Sequence, residues 1–309
     1  MSWPEIAQAF FTMMLNTGFA LVVGGLLSGA LLPNSRNQNW WIQGRLAGAI
    51  KVGILMCMAG TILSLWQTSA TMGDVPLFES GPALWRIFSA THYGSVGLLA
   101  VGLLIVSAFA VFQMRGGQPS KMLIIICVAA LTLYAICRVA VSHAYESGLI
   151  SMAVLVEWLH LVLMSTWVGL VLTAGWIVLG GLHTTKAAKI DTKMYLSSLS
   201  SWATFALVGI LATGTYNAFR VLTAPHDLVA TQYGWTLTAK LGLVVVAILL
   251  GGWNRFYGFP KAYAQSEKTK NGNSSLIPAM LVLRIESVVL LGVLAIAAVL
   301  TASAPPASM

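Results

Sequence analysis

Eight long apolar segments, separated by short polar joints, constrain this chain of 309 residues more than any other feature. Each is close to the length of roughly 20 residues that crosses the hydrocarbon core of a bilayer once as a helix. Only 8% of the residues are charged, whereas about a quarter are charged in a soluble domain. We place the spans near residues 6–31, 45–69, 91–113, 121–143, 152–180, 196–221, 234–254 and 278–301.

The segments are continuous apolar runs without period-2 alternation, so helices and not strands cross the bilayer. We therefore predict an all-α polytopic membrane protein that forms a single integral membrane domain over residues 1–309, with the lipid bilayer as a partner. The joints are too short to hold a soluble domain, and the net charge of +8 does not indicate a nucleic-acid partner. The sequence has no Walker, HExxH or GxSxG motif, so we predict no enzymatic activity.

The basic residues are distributed unevenly between the joints. The joints after spans 1, 3, 5 and 7 hold eleven Lys and Arg residues, whereas those after spans 2, 4 and 6 hold two, Arg86 and Arg220. Basic joints stay on the cytoplasmic side of a membrane. The sequence therefore predicts that both termini lie outside the cytoplasm.

Short sequence matches indicate an internal repeat. Residues 91–94 (THYG) open span 3 as residues 231–234 (TQYG) open span 7, and VGIL occurs at 52–55 in span 2 and at 208–211 in span 6. Spans 1–4 thus resemble spans 5–8, with possible repeats at 1–150 and 151–309. Because each copy has four spans, we expect the two copies to be parallel, related by a pseudo-twofold axis along the membrane normal.

Polar residues at membrane depth are costly and therefore mark candidate functional sites. In span 5, Glu157, His160 and Met164 are spaced by three and four residues, which places them on one helical face. From the predicted start of the span, Glu157 lies roughly 8 Å deep and His160 roughly 12 Å deep. Imidazole and thioether groups bind copper, with Met favouring Cu(I), and a carboxylate can complete such a site or orient the histidine.

Two further histidines are predicted at the same boundary of the membrane. His92 opens span 3, His143 closes span 4, and Met13 of span 1 lies at a depth similar to that of Met164. Hydrogen-bonded helix caps are the alternative interpretation of each histidine. The repeat favours a metal site, because the residues aligned with His92 and His143 are Gln232 and Ser303, so the fold itself does not require imidazole there.

Several segments together resemble the copper resistance protein D family (CopD/PcoD) of bacterial inner-membrane proteins. The similarity covers spans 5 to 8, and the length and the eight-span layout also agree. The matching segments are 160–169 (HLVLMSTWVG), 214–220 (GTYNAFR), 233–240 (YGWTLTAK) with Asn254-Arg255, and 284–286 (RIE) followed by Pro305-Pro306.

The resemblance implies a protein of the bacterial inner membrane that takes a copper ion from the periplasmic side. It also implies a separate periplasmic copper carrier of the CopC type as partner. We predict that His92, His143 and His160 are the principal ligands, supported by Glu157, Met164 and Met13, and that copper is imported.

The sequence is also compatible with two other functions. Paired histidines such as His92 and His143 on neighbouring helices suit a b-type haem, which would make the chain an electron carrier or an oxidoreductase. A copper scaffold or sensor that does not transport its ion would use the same residues as a transporter.

Overall fold

The computed structural model describes residues 3–32, 40–113, 120–142, 144–145, 148–184, 189–221, 228, 231–268 and 276–303. Within these ranges the regular structure is entirely helical. Eight helical segments there are long and apolar enough to cross a membrane. The prediction of an all-α polytopic membrane protein is therefore confirmed.

The spans are numbered 1 to 8 in chain order, as in the sequence. The eight segments are Trp3–Leu31, Ile42–Gly73, His92–Gln113, Lys121–Val139, Met152–Leu182, Thr192–Val221, Gln232–Ala262 and Leu276–Ala302. The α-helices that contain them are Trp3–Leu31, Trp40–Gly73, His92–Gln113, Lys121–Val139, Met152–Thr173, Leu179–Thr184, Lys189–Val221, Gln232–Trp253, Phe259–Lys268 and Leu276–Ala302.

Spans 5 and 7 extend beyond the predicted ends, and each contains a π-helical turn near that end, at Ala174–Val178 and Asn254–Gly258. Such a turn inserts one residue without interrupting the helix. Span 4 instead ends at Val139, short of the predicted residue 143. There Ser142 Oγ donates to the Val139 carbonyl at 2.8 Å, so a side chain takes up one of the terminal carbonyl groups.

A short helix that the sequence analysis did not predict, Gly81–Ala90, connects spans 2 and 3. It has Pro82 in its first turn, where proline is tolerated. A Cβ atom added at Gly94 would overlap the Ile87 carbonyl, so this glycine lets the short helix lie directly on span 3. With ten residues the helix is too short to cross the bilayer.

Consecutive spans run antiparallel. Near the end of span 2, for example, Gln67 Nε2 donates to the Pro4 carbonyl at the start of span 1, at 2.7 Å. We call the face at which spans 1, 3, 5 and 7 begin the terminal face, and the other the opposite face. The positive-inside pattern predicts that the terminal face is periplasmic.

Spans 1, 5 and 8 form the centre of the bundle. Span 1 packs against spans 2, 5 and 8, and span 5 packs also against spans 6 and 8. Spans 1 and 5 approach each other at Gly24 and Gly169, where a Cβ atom on either glycine would overlap the other helix's backbone. One turn further, Ser28 Oγ and Thr173 Oγ1 hydrogen-bond at 2.7 Å. This contact joins the two halves of the chain.

The apolar core divides between the halves of the chain. One cluster lies within spans 1–4, and the other is formed mainly by spans 5–8. The two TxYG segments also form the same cap, because Thr91 Oγ1 accepts from Gly94 N at 3.0 Å and Thr231 Oγ1 accepts from Gly234 N at 2.9 Å. The repeat of four spans itself stays a prediction.

Candidate functional site

Span 5 carries the polar residues that the sequence analysis singled out. Its helix begins at Met152, because Ser151 Oγ accepts from Val154 N at 3.3 Å and caps it. Glu157 and His160 therefore lie roughly 8 and 12 Å along the helix axis from its first residue. Both side chains are half-buried. The helix thus begins at the residue predicted from the sequence.

Span 6 supplies a hydrogen-bond partner for each of these side chains. His160 Nδ1 lies 2.8 Å from Thr213 Oγ1, and Asn217 Nδ2 donates to Glu157 Oε2 at 2.7 Å. Thr213 and Asn217 are four residues apart and so share a helical face. The antiparallel pairing of the two spans brings both pairs together in one polar cluster.

Thr213 links His160 to the backbone of span 6. The Thr213 hydroxyl lies 2.7 Å from the Gly209 carbonyl, which can only accept. When the single hydroxyl hydrogen is donated to this carbonyl, the Thr213 oxygen accepts from His160, and Nδ1 carries the imidazole hydrogen. In that tautomer the other ring nitrogen, Nε2, keeps its lone pair, which is the group that coordinates a metal ion.

Space for the imidazole ring comes from a glycine. A Cβ atom added at Gly214 would lie 3.3 Å from His160 Cε1, so a larger residue would press on the ring. Thr213 and Asn217 were not predicted as site residues, although Asn217 lies in the GTYNAFR segment. Their role depends on which helix packs against span 5, and no sequence pattern indicates that.

Positive charges surround Glu157. Lys240 of span 7 has the largest electrostatic interaction with its carboxyl group, followed by Arg220 and then Arg138. Lys240 also acts on His160. Three cations around one carboxylate give the cluster a positive excess, which disfavours a highly charged metal ion.

Arg138 of span 4 has a partner on span 1. Its Nη2 donates to Asn16 Oδ1 at 2.7 Å, whereas Nη1 is buried and has no hydrogen-bond partner among the described residues. Arg284 of span 8 likewise has its partner on a different helix. Its Nε donates at 3.0 Å to the carbonyl of Gly175 in the π-helical turn of span 5.

The contacts described for His92 and Met164 are with other parts of the bundle, and His143 lies outside the described residues. His92 is exposed, and its ring stacks on Tyr145 with 4.4 Å between ring centroids. Its Nε2 donates to the Ala140 carbonyl at 3.2 Å, which leaves Nδ1 as an acceptor. His92 is on span 3, which packs mainly against spans 2 and 4, whereas His160 faces span 6. His143 lies outside the described residues.

Met13 of span 1 is half-buried, and Met164 lies one turn beyond His160, packed against the core of spans 5–8. Within the part of the chain that the structure describes, no three His, Cys, Asp or Glu side chains come close enough to hold a metal ion together. Of the six predicted ligands, the structure thus brings Glu157 and His160 into one polar cluster. The complete set stays a prediction.

Comparison with known families identifies one match. Residues 193–300 match the family described as copper resistance protein D, which confirms the resemblance found in the sequence. The matched region covers spans 6 to 8 and includes Thr213, Asn217 and Lys240, but it does not include span 5. No curated protein and no solved structure matches the chain.

Proposed function

We propose that this membrane protein, whose residues 193–300 carry the copper resistance protein D region, binds a copper ion near the terminal face and moves it across the membrane. The observation that supports this most directly is the orientation of His160. Thr213 holds Nδ1 at 2.8 Å, which leaves Nε2 available on the helical face that also carries Glu157. Nε2 of a neutral imidazole is a common copper ligand.

In this proposal the copper ion is the cargo of the protein. His160 is the first ligand, Glu157 offers its Oε1, since Oε2 is engaged by Asn217, and Met164 lies one turn deeper on the same face. His92, His143 and Met13 complete the proposed set. The cations around Glu157 favour the singly charged Cu(I), because repulsion grows with the charge of the bound ion.

The proposal also specifies the membrane and the partner. The protein lies in the bacterial inner membrane with its terminal face towards the periplasm, where a carrier of the CopC type delivers copper. An inward-moving cation gains about 2.3 kcal/mol per charge for each 100 mV of membrane potential. The potential therefore favours inward movement of the ion.

Copper flux into sealed vesicles that contain only this protein tests the proposal. We expect copper to accumulate inside, faster when the interior is negative, with protein-free vesicles as the control. Copper that binds but does not cross would overturn transport and support a scaffold or sensor. An intense Soret band in the purified protein, without bound copper, would instead support the haem alternative.

Lys240→Leu is expected to tighten copper binding. The substitution removes the cation with the largest electrostatic interaction at Glu157 and a repulsive charge near His160. Interactions of this kind are on the order of 1 kcal/mol, so the affinity measured by competition with a chelator rises by roughly fivefold. Lys51→Leu is the control, because Lys51 lies on span 2 against Phe112, with 5.0 Å between Nζ and the ring centroid. Weaker binding by Lys240→Leu would contradict the proposed site.

A further inference from the structure

A second buried carboxyl group lies deeper in the bundle, outside the proposed copper site. Glu286 of span 8 is 1% exposed, and its position lies roughly 15 Å along the helix from Leu276. The indole of Trp167 interacts with this carboxyl. Among the described residues, however, no group meets hydrogen-bond geometry with either oxygen. Among the described residues Glu286 is therefore buried beside the neutral Trp167 indole and without a cationic partner, whereas Glu157 is bonded to Asn217.

Glu286 is one of the residues that line a cavity of about 290 Å³ between spans 5, 6, 7 and 8. A Cβ atom added at Gly251 would lie 3.1 Å from Glu286 Oε1, so this glycine leaves room for the oxygen on span 7. The cavity lining continues along span 7 to Arg255 and Phe259, towards the opposite face. Ser200 and Thr204 of span 6 contribute hydroxyl groups to the same lining.

The charged groups around the cavity do not neutralise Glu286. Arg255 is exposed, and its Nη1 donates to Ser200 Oγ at 2.9 Å and to Thr204 Oγ1 at 2.7 Å, so it is directed at span 6. On span 8 itself, Arg284 is directed at span 5, with its Nε on the Gly175 carbonyl. Besides Glu286 and Arg255, the cavity lining contains no charged residue.

An isolated carboxylate in such surroundings is strongly disfavoured. Moving an unpaired ion out of water costs several kcal/mol even after the protein relaxes, and the group takes up a proton instead. A metal ion is a poor alternative occupant, because metal ions need several ligands at fixed distances and the cavity offers one carboxylate. A proton needs that carboxylate alone.

We propose that Glu286 is a proton-binding site that exchanges with the opposite face through this cavity. The carboxylic acid releases its proton to water in the cavity, and the carboxylate later takes a proton back, so that only the O–H bond breaks and forms. By comparison, one water molecule needs roughly 10–15 Å³ of such volume. The cavity is therefore large enough for several, and the polar groups of its lining with which water can bond include those of Glu286, Asn254, Arg255, Ser200 and Thr204.

The proton site is distinct from the proposed copper site. Trp167, which lines the cavity, follows His160 by seven residues on span 5, so the two levels are about 10 Å apart along the helix. The inference rests on Glu286 and its surroundings and does not depend on copper binding. A result that refutes proton binding at Glu286 therefore does not refute copper binding at His160, and the reverse also holds.

Infrared spectroscopy of the copper-free protein in lipid tests the proton site. We expect the wild type at neutral pH to show the carbonyl stretch of a protonated carboxylic acid, shifted in D₂O because the cavity admits water. Glu286→Gln should abolish this band. Glu79→Gln is the matched control and should leave it unchanged, because Glu79 lies in the connection between spans 2 and 3 and its side chain is exposed to water.

Two outcomes would overturn the proposal. The first is a wild-type spectrum without a carboxylic acid band at neutral pH, which requires no variant. The second is a band that persists in folded Glu286→Gln protein, with folding checked by circular dichroism and gel filtration. If Glu286→Gln does not fold, Glu286→Asp replaces it. A shifted band in Glu286→Asp supports the assignment, and an unchanged band refutes it.

Discussion

Replacing His160 with alanine is expected to lower the copper affinity of the purified protein by more than about 100-fold. Loss of a group that merely orients a ligand costs roughly 10- to 100-fold in metal affinity, and His160 is proposed to bind the ion itself. Copper content after dialysis and competition with a chelator measure the effect. The same variant should lose copper uptake in sealed vesicles.

Two further variants make this prediction specific. Thr213→Val removes the group that holds His160 Nδ1 at 2.8 Å but keeps the imidazole, so we expect an intermediate loss that Thr213→Ser restores. His183→Ala is the control, because His183 belongs to the helix Leu179–Thr184 near the opposite face. Equal effects of His160→Ala and His183→Ala, or no effect of either, would refute the assignment of His160 as a ligand.

Gly24→Ala is expected to destabilise the bundle severely. A Cβ atom at this position would overlap the backbone carbonyl of Gly169 on span 5, and backbone atoms cannot rotate away as a side chain can. Overpacking against side chains costs typically 1–3 kcal/mol, so we expect a loss at or above the upper end of that range. The midpoint of unfolding in detergent or in lipid measures it.

Gly29→Ala is the matched control on the same helix. Nothing lies within 4 Å of a Cβ atom added there, and alanine favours a helix over glycine by up to about 1 kcal/mol in water. We therefore expect Gly29→Ala to be neutral or slightly stabilising. Similar stabilities of the two variants would mean that spans 1 and 5 are not in backbone contact at Gly24.

Most of the fold follows from local sequence properties. Each span is a continuous apolar run, and a bilayer accepts such a run only as a helix whose backbone groups are bonded internally. The eight spans were therefore predictable one by one. Their ends were less so, because the π-helical turns Ala174–Val178 and Asn254–Gly258 and the capping serine Ser142 depend on backbone geometry.

The candidate site was predictable only in part. The spacing of Glu157 and His160 fixes their shared face, since both belong to one helix. Thr213 and Asn217 were not predictable, because they meet span 5 only through the pairing of two separate helices. For the same reason the sequence could group His92 with His160 by depth, whereas the structure places them on spans with different neighbours.

The amino-acid order alone was enough to establish an all-helical membrane protein, its spans and the polar side chains buried in them. These depend on hydrophobicity and helical periodicity along one stretch of chain. Packing between spans decided that Glu157 is hydrogen-bonded to Asn217, whereas Glu286 has no cationic partner among the described residues, and that His160 Nδ1 lies against Thr213. These hydrogen bonds and contacts form only where segments that are distant in the sequence pack together. In the same way, the contact of Gly24 with Gly169 sets how closely spans 1 and 5 can approach.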